Sequence, residues 1–393
     1  MNTLPDRLSA ILNQEYPTFS EQEFTRRRKA FEDAMERREV RHVIIRGALK
    51  AGPSVQWLTG WPVTAEAVIV YSLGEQPKLY IQHTNHPPLA RRLVHKCEVA
   101  WGGVSSLESA IVDLQKRGAN GETIGVVGMY SLAQIERLQG FASSVIDMTR
   151  DYIRLRWVKS AEELDWLRIG AALSDRGVSA LKSGLRPGMN ERDMGALVES
   201  GYLDQGGDNQ IHYFGVTSMA NPDCCVPRQF PSTRKVSAGD VLTTEISSHF
   251  WDYSGQVLRT FTIDTDPTPL YQDLHDVAEA AFNAIVGVLR PGTRPEEIVE
   301  AAEVIEDAGF TIYDDLVHGY GGGYLPPILG SKSRMNAPLP DMELEAGMCL
   351  VVQPNVITTD EKAGVQTGEM MLITEAGAEC MHSFPPGLHQ INF

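Results

Sequence analysis

The chain has 393 residues, 42 % hydrophobic and 22 % charged, with 35 basic against 51 acidic residues for a formal charge of −16. That length asks for two domains, the acidic excess repels nucleic acid and anionic membrane, and no apolar run nears the roughly 20 residues of a membrane span. The start lacks the basic and apolar regions of a secretory signal, and five scattered cysteines without CxxC spacing fit reduced thiols, so a cytoplasmic protein acting on a small molecule is expected.

In chain order, Ser20 and Glu23 spell a capping box, with Phe19 and Phe24 as a hydrophobic staple, ahead of the first predicted helix in TRRRKAFEDAMERREV. The runs RHVIIRG, VQWLTGW, AEAVIVYS and PKLYIQ read as strands, as do 98–101 and 124–127. Between them lie the helical SSLESAIVDLQKRG and SLAQIERLQGF. This predicts an α/β domain over residues 1–157. Ser160 and Glu163 then open a long amphipathic helix carrying Leu164, Leu167, Ala171, Val178 and Leu181, and a second domain fills 158–393.

The second domain repeats itself. Leu185-Arg186-Pro187-Gly188 recurs as Leu289-Arg290-Pro291-Gly292, each ending one helix before another that Asn190/Asp193 or Thr293/Glu296 would cap. AGDVLTTEISS matches AGMCLVVQPNV, and SGQVLRTFTI matches TGEMMLITEA. A helix–helix–strand–strand unit therefore occurs twice, and two such halves face each other around a pseudo-twofold axis with a pocket between them. The repeat pairs Glu245 with Gln353 and Gln256 with Glu369, so four polar side chains are expected to converge.

AGDVLTTEISSHFWDYSGQVLRTF, VHGYGGGYLPP, LEAGMCLVVQP and GVQTGEMMLITEAG, in that order and spacing, resemble the pita-bread family of creatinase, prolidase, aminopeptidase P and methionine aminopeptidase. The resemblance covers nearly the whole chain. It implies a creatinase-type α/β N-terminal domain followed by an α+β pita-bread domain. Metallopeptidases of this family hold two metal ions with two Asp, one His and two Glu. Carried over, those positions are Glu245, Gln256, His318, Gln353 and Gly368, with Glu369 beside the last. Only Glu245 and His318 keep ligand chemistry, so the expectation is no metal and no cofactor. The pattern is then similar to the metal-free branch of creatinase and ectoine hydrolase. That branch implies hydrolysis of a non-peptide C–N bond, in an amidine, guanidine or cyclic amide of a small cationic or zwitterionic metabolite. The alternatives are an Xaa-Pro dipeptidase or aminopeptidase with altered ligands, a lyase on a small zwitterion, and a non-catalytic binding module.

On this reading Glu245, Glu369 and His318 are the catalytic candidates, as paired carboxylates and a near-neutral base. Against it stands a structural use, with the two carboxylates bonded to Arg259 or Tyr253 and the histidine satisfied by backbone. Gln256 and Gln353 would orient a substrate. Tyr320 and Tyr324 would wall a loop whose glycines let backbone approach a ligand. His212 and Tyr213 fall where the family contacts substrate. In creatinase-like homodimers the partner's N-terminal domain closes the pocket, which here would bring in Trp61 and Glu66.

Overall fold

The computed structural model describes residues 4–49 and 52–393. Contacts divide the chain between Arg156 and Trp157, and the segment up to Asn13 groups with the later residues. That segment holds a helix absent from the sequence expectations, α1 (Asp6–Leu12). Its Arg7 pairs with Asp165 at 2.6 Å.

In the first unit, α2 (Glu21–Arg37) starts where the cap chemistry places it: Ser20 Oγ accepts the Glu23 N–H at 3.1 Å, and Phe19 sets its ring edge against Phe24. After β1 (His42–Gly47) comes a difference. The run VQWLTGW is a helix, α3 (Pro53–Thr59), where a strand is expected. Proline at its first turn and Gly60 at φ 83° just past its end are the start and stop signals of a short helix, and they outweigh the β-type composition between them. The unit continues through β2 (Ala67–Ser72), β3 (Lys78–Ile81), α4 (Pro87–Leu93), β4 (Glu98–Trp101) and α5 (Ser106–Lys116). It ends with β5 (Thr123–Val127), α6 (Leu132–Gln139), β6 (Ser144–Asp147) and α7 (Thr149–Arg154). Strand order is β4-β3-β2-β1-β5-β6. Alternation along β1 sends Val43 and Ile45 into one apolar cluster and Ile44 into another, so helices cover both faces.

The second unit opens on α8 (Ala161–Gly184), where Ser160 and Glu163 complete both halves of a capping box. Next come α9 (Glu191–Ser200), β7 (Asp208–Ser218), β8 (Asp240–Phe250), β9 (Tyr253–Ile263), α10 (Pro269–Val288), α11 (Pro295–Ala301) and α12 (Val304–Asp307). The remaining strands are β10 (Thr311–Ile312), β11 (Val317–Tyr320), β12 (Tyr324–Leu329), β13 (Cys349–Val352), β14 (Val356–Ile357), β15 (Gly368–Thr374), β16 (Gly377–Cys380) and β17 (His389–Ile391). The main sheet runs β12-β11-β13-β15-β9-β8-β7, with β16 on β15 and β17 on β9.

The sequence repeat is a structural one. Gly188 and Gly292 take φ 80° and 88°, a region open to glycine at little cost. Each donates its N–H across to the approach of a sheet strand, Gly188 to Val236 O at 3.2 Å and Gly292 to Leu344 O at 2.8 Å. One cap moves: α11 is capped at Arg294 with Pro295 behind it and Glu297 closing the box, while Thr293 Oγ1 donates instead to Val288 O at 2.6 Å. Helix α8 lies directly on β8 and β9. A Cβ at Gly255 would fall 2.2 Å from Ala171 Cα, and Ser174 Oγ bonds Ser248 Oγ at 2.9 Å. One face of these strands is therefore sealed by helix, and the other is left for a site.

Candidate functional site

Strand alternation decides what faces the pocket. Ser247 on β8 lies opposite Gln256 on β9, and Glu245 lies opposite Leu258. These four share the face away from α8. The adjoining strand β15 places Gly368 opposite Leu258 and Glu369 opposite Val257. Gly368 therefore looks into the pocket and Glu369 looks away.

This corrects the assignment of Glu369 as a catalytic carboxylate. On the helix face Glu369 pairs with Arg259 Nη2 and accepts from Cys380 Sγ at 2.8 Å. Arg259, 2 % exposed, also donates to the carbonyls of Leu258, Gly368, Phe384 and Pro385 at 2.9–3.0 Å. The reason is the two-residue period of a strand: a one-residue shift changes face, and no bulge intervenes. The vacated place is filled. A Cβ at Gly368 would fall 2.7 Å from Val352 O and 2.9 Å from both Gln353 Cβ and Leu258 Cδ1.

Three of the four side chains expected to converge do so. Gln256 Nε2 donates to Glu245 Oε1 at 2.9 Å and to Gln353 Oε1 at 3.0 Å. Gln256 is fully buried, and its Oε1 has no hydrogen-bond partner. Burial first, then the charges of Asp314 and Asp315, push Glu245 up to about 8. Glu245 thus holds a proton at neutral pH.

His318 is fully buried on β11. Its ring stacks on Tyr324 with centroids 3.7 Å apart and meets the edge of Tyr320 at 5.4 Å. Nδ1 lies 3.1 Å from Gly319 O, and a carbonyl only accepts, so Nδ1 carries the proton. Nε2 is then a bare acceptor without a hydrogen bond of good geometry, although the Gln353 side chain acts on the ring. Burial lowers this imidazole to about 4, against smaller opposing effects of Gly319 and Gln353. At neutral pH it is uncharged.

Asp314 and Asp315 belong to this cluster and are not among the residues picked from sequence. Gln353 Nε2 reaches Asp314 Oδ2 at 3.5 Å, the Asp315 N–H donates to Asp314 Oδ1 at 2.9 Å, and Tyr324 OH donates to Asp315 Oδ2 at 2.7 Å. Burial and then Asp314 raise the Asp315 carboxyl above its ordinary range. The available signal was an acidic doublet directly ahead of the Leu-Val-His-Gly segment.

The other candidates divide by position. Tyr213 on β7 lies opposite Glu245, and burial, Glu245 and Asp314 together raise its phenol. Tyr320 is buried with its hydroxyl unpartnered, and Tyr324 is 44 % exposed at the rim. His212 turns to the opposite face, where Nε2 meets Tyr202 OH at 2.5 Å, because it is one residue out of phase with Tyr213. Trp61 and Glu66 sit within the first unit: Trp61 is buried, and Glu66 accepts from Arg46 Nε and the Ser106 N–H, each at 2.9 Å.

The positions that would hold two metal ions thus carry one neutral carboxylic acid, one imidazole, two amides bonded to each other and a glycine whose space is filled. Among the described residues no group of three or more His, Cys, Asp or Glu is arranged to hold a metal ion. This donor set does not fit a dinuclear centre, which takes its hold from several anionic oxygens.

Comparison with known proteins places this site in context. The model of metallopeptidase family M24 matches residues 165–375, a span containing every pocket residue named above. An Xaa-Pro dipeptidase of Pyrococcus furiosus is 23 % identical over 266 residues, 66 % of this chain and 73 % of its own. An uncharacterized hydrolase/peptidase of Sinorhizobium fredii is 23 % identical over 396 residues, 93 % of this chain and 96 % of its own. Among solved structures, dipeptidase PepE of Mycobacterium ulcerans superposes with a TM-score of 0.79 at 21 % identity, covering 95 % of this chain and 100 % of that one. A prolidase of Thermococcus sibiricus does so at 0.80 and 16 %, with the same coverage. The pita-bread architecture with an α/β N-terminal domain, implied by the resemblance, is the one observed. The expectation of a metal-independent, creatinase-like hydrolase of a non-peptide C–N bond is overturned, because the relatives that match are Xaa-Pro dipeptidases and peptidases.

Proposed function

The chain belongs to metallopeptidase family M24, and from that premise we propose that it is a peptidase of the Xaa-Pro type with an altered ligand set, hydrolysing the amide bond before proline in dipeptides or short peptides. The observation that carries this reading is the family match through 165–375, which runs through the whole pocket, together with the likeness to the Pyrococcus furiosus Xaa-Pro dipeptidase.

In this family a pair of divalent metal ions supplies an activated water. The donor set here does not fit that pair. The chain's own groups suit an amide substrate. Protonated Glu245 donates a hydrogen bond where negative charge develops on the scissile carbonyl oxygen. The free Gln256 Oε1 and His318 Nε2 accept from N–H groups of the substrate. The Tyr324–His318 stack forms a flat apolar wall against which a proline ring packs.

The test is release of free proline from Ala-Pro and Gly-Pro, measured with added Mn²⁺ or Co²⁺ and again after chelation. Proline release in either arm is the expected result, and the chelated arm tells whether a metal held outside the five-ligand pattern takes part. No release in any arm would sink the reading. A second reading, a binding module without turnover, is favoured by the filled position at Gly368. It predicts dipeptide binding by calorimetry with no hydrolysis.

A further inference from the structure

Helix α9 and the outer edge of β7 enclose a cleft of about 480 Å³. Arg192, Gly195, Ala196 and Glu199 recur at helical spacing, so they form one stripe of α9 along that cleft. Strand β7 is the last of the main sheet, and among the described residues no strand pairs with its outer edge before Phe214. Past that point the edge is taken: the Arg228 N–H donates to Phe214 O at 2.8 Å, and the Val216 N–H donates to Glu191 Oε1 at 3.2 Å. Backbone groups of an antiparallel strand alternate between its two sides. Those of Phe214 and Val216 point outward, so the N–H and C=O of His212 do as well, into the cleft that His212 lines.

The charges of the cleft sit at its two ends. Glu191, at the Val216 end of α9, is paired with Arg228 at 2.7 Å. Arg192 beside it is exposed and enters no ion pair among the described residues. At the other end Glu199 accepts from the Asn209 side-chain amide at 3.0 Å, a neutral donor. Arg192 and Glu199 stand seven positions apart on α9, about 10 Å of helix rise, and three extended residues span about the same length. Between them the helix surface is low. A Cβ at Gly195 would meet nothing nearer than Phe214 Cε2 at 4.0 Å, so another backbone has room to approach closely.

An open strand edge is a template for one more strand. A cation at one end of it and an anion at the other select a chain whose own termini carry the opposite charges. We infer that the cleft is a binding site for a free peptide of about three residues, added to β7 as a short parallel strand. Its ammonium meets Glu199, its backbone pairs with His212, and its carboxylate meets Arg192. The direction follows from α9, which runs antiparallel to β7 and sets Glu199 against Asn209 and Glu191 against Val216. The cleft adjoins the pocket at Tyr213, which lines it and lies opposite Glu245. Peptides thus have a second place to bind, outside the groups of Glu245 and His318.

Calorimetry on the full chain with Ala-Ala-Ala tests this. The peptide lacks proline, so the answer does not depend on whether Xaa-Pro bonds are cleaved. Wild type is expected to bind it, and Arg192→Gln to bind it roughly tenfold or more weakly, through loss of a charge-assisted bond. Blocking both peptide ends as N-acetyl and C-amide should weaken it at least as much. Ala-Ala should also bind less well, being too short to span both charges. Gly195→Leu is expected to abolish binding by filling the cleft, with the melting temperature kept or raised because leucine is the better helix former. Should that variant fail to fold, Arg192→Gln, at an exposed position, decides alone. No binding of Ala-Ala-Ala by wild type overturns the inference. Binding that both variants leave unchanged overturns it too and assigns the peptide to the pocket of Glu245 and His318.

Discussion

Arg259 and Glu369 form a buried ion pair on the helix face of the main sheet, one residue out of phase with the pocket-facing Gly368. The guanidinium ties four carbonyls from β9, β15 and the segment after β16, so the pair is a brace for the sheet and has no access to substrate. Replacing Glu369 by Ala leaves that cation buried without its counter-charge, at a cost of roughly 3–5 kcal/mol in stability. Urea unfolding reads the loss, and turnover per folded molecule is expected to stay near wild type. Full stability with activity abolished would return Glu369 to the pocket.

Gly368 invites the opposite experiment, restoring the family's glutamate at its own register position. Its Cβ alone would meet Val352 O, Gln353 Cβ and Leu258 Cδ1 at 2.7–2.9 Å, tighter than packed atoms tolerate. Gly368→Glu is therefore expected to destabilise by roughly 1–3 kcal/mol. Adding Leu258→Ala should recover part of that loss by opening space. An additive effect of the two changes in urea melts would mean that the glutamate does not enter the space Leu258 fills.

Glu245 carries a pH signature. Folded, it keeps its proton up to about 8 because burial and the two aspartates disfavour the anion; unfolded, it loses it near 4.5. Between those values the folded state binds more protons, so stability falls as pH rises through that window. Glu245→Gln has nearly the same shape, still accepts from Gln256, and cannot ionise. Its melting temperature should lie closest to wild type near pH 4 and exceed it increasingly up to pH 8. A constant difference across that range would show that Glu245 is not held protonated by the fold.

Most of the scaffold is legible in the sequence, because caps, strand alternation and the doubled Leu-Arg-Pro-Gly unit are local signals that the tertiary structure leaves in force. Ser160 with Glu163 and Asn190 with Asp193 cap their helices as written. The misreadings have local causes. In VQWLTGW the β-type composition hides a helix whose boundaries are set by Pro53 and Gly60, and at Thr293 the proline two residues on moves the cap to Arg294. The pocket was partly legible: Glu245, Gln256 and Gln353 follow from the repeat, and His318 from the family resemblance. Glu369 fails because a glutamate adjacent to a ligand position looks like a substitute in one dimension, while a strand turns it to the other face. Asp314 and Asp315 lie outside the repeated strands, so no internal pairing marks them, and only the folded loop brings them to Glu245.

The amide pair offers the sharpest check on why this site departs from its family. Gln256 Nε2 bridges Glu245 and Gln353, a link between groups that are neutral at pH 7. Gln256→Asp with Gln353→Glu removes the bridge and places new carboxylates beside Glu245 and Asp314. Like charges in a buried site cannot all ionise, so the apo double variant should lose stability, by roughly 3 kcal/mol for buried groups left uncompensated. If scarcity of anionic oxygens is what keeps a divalent ion out, Mn²⁺ at about 100 times its dissociation constant should return about 2.7 kcal/mol to the variant. Wild type under the same conditions should show little shift. Thermal melts with and without Mn²⁺ read both effects independently of turnover. A large Mn²⁺ shift in wild type itself would mean that ligands outside the five positions hold the metal, and the donor-set account would fall.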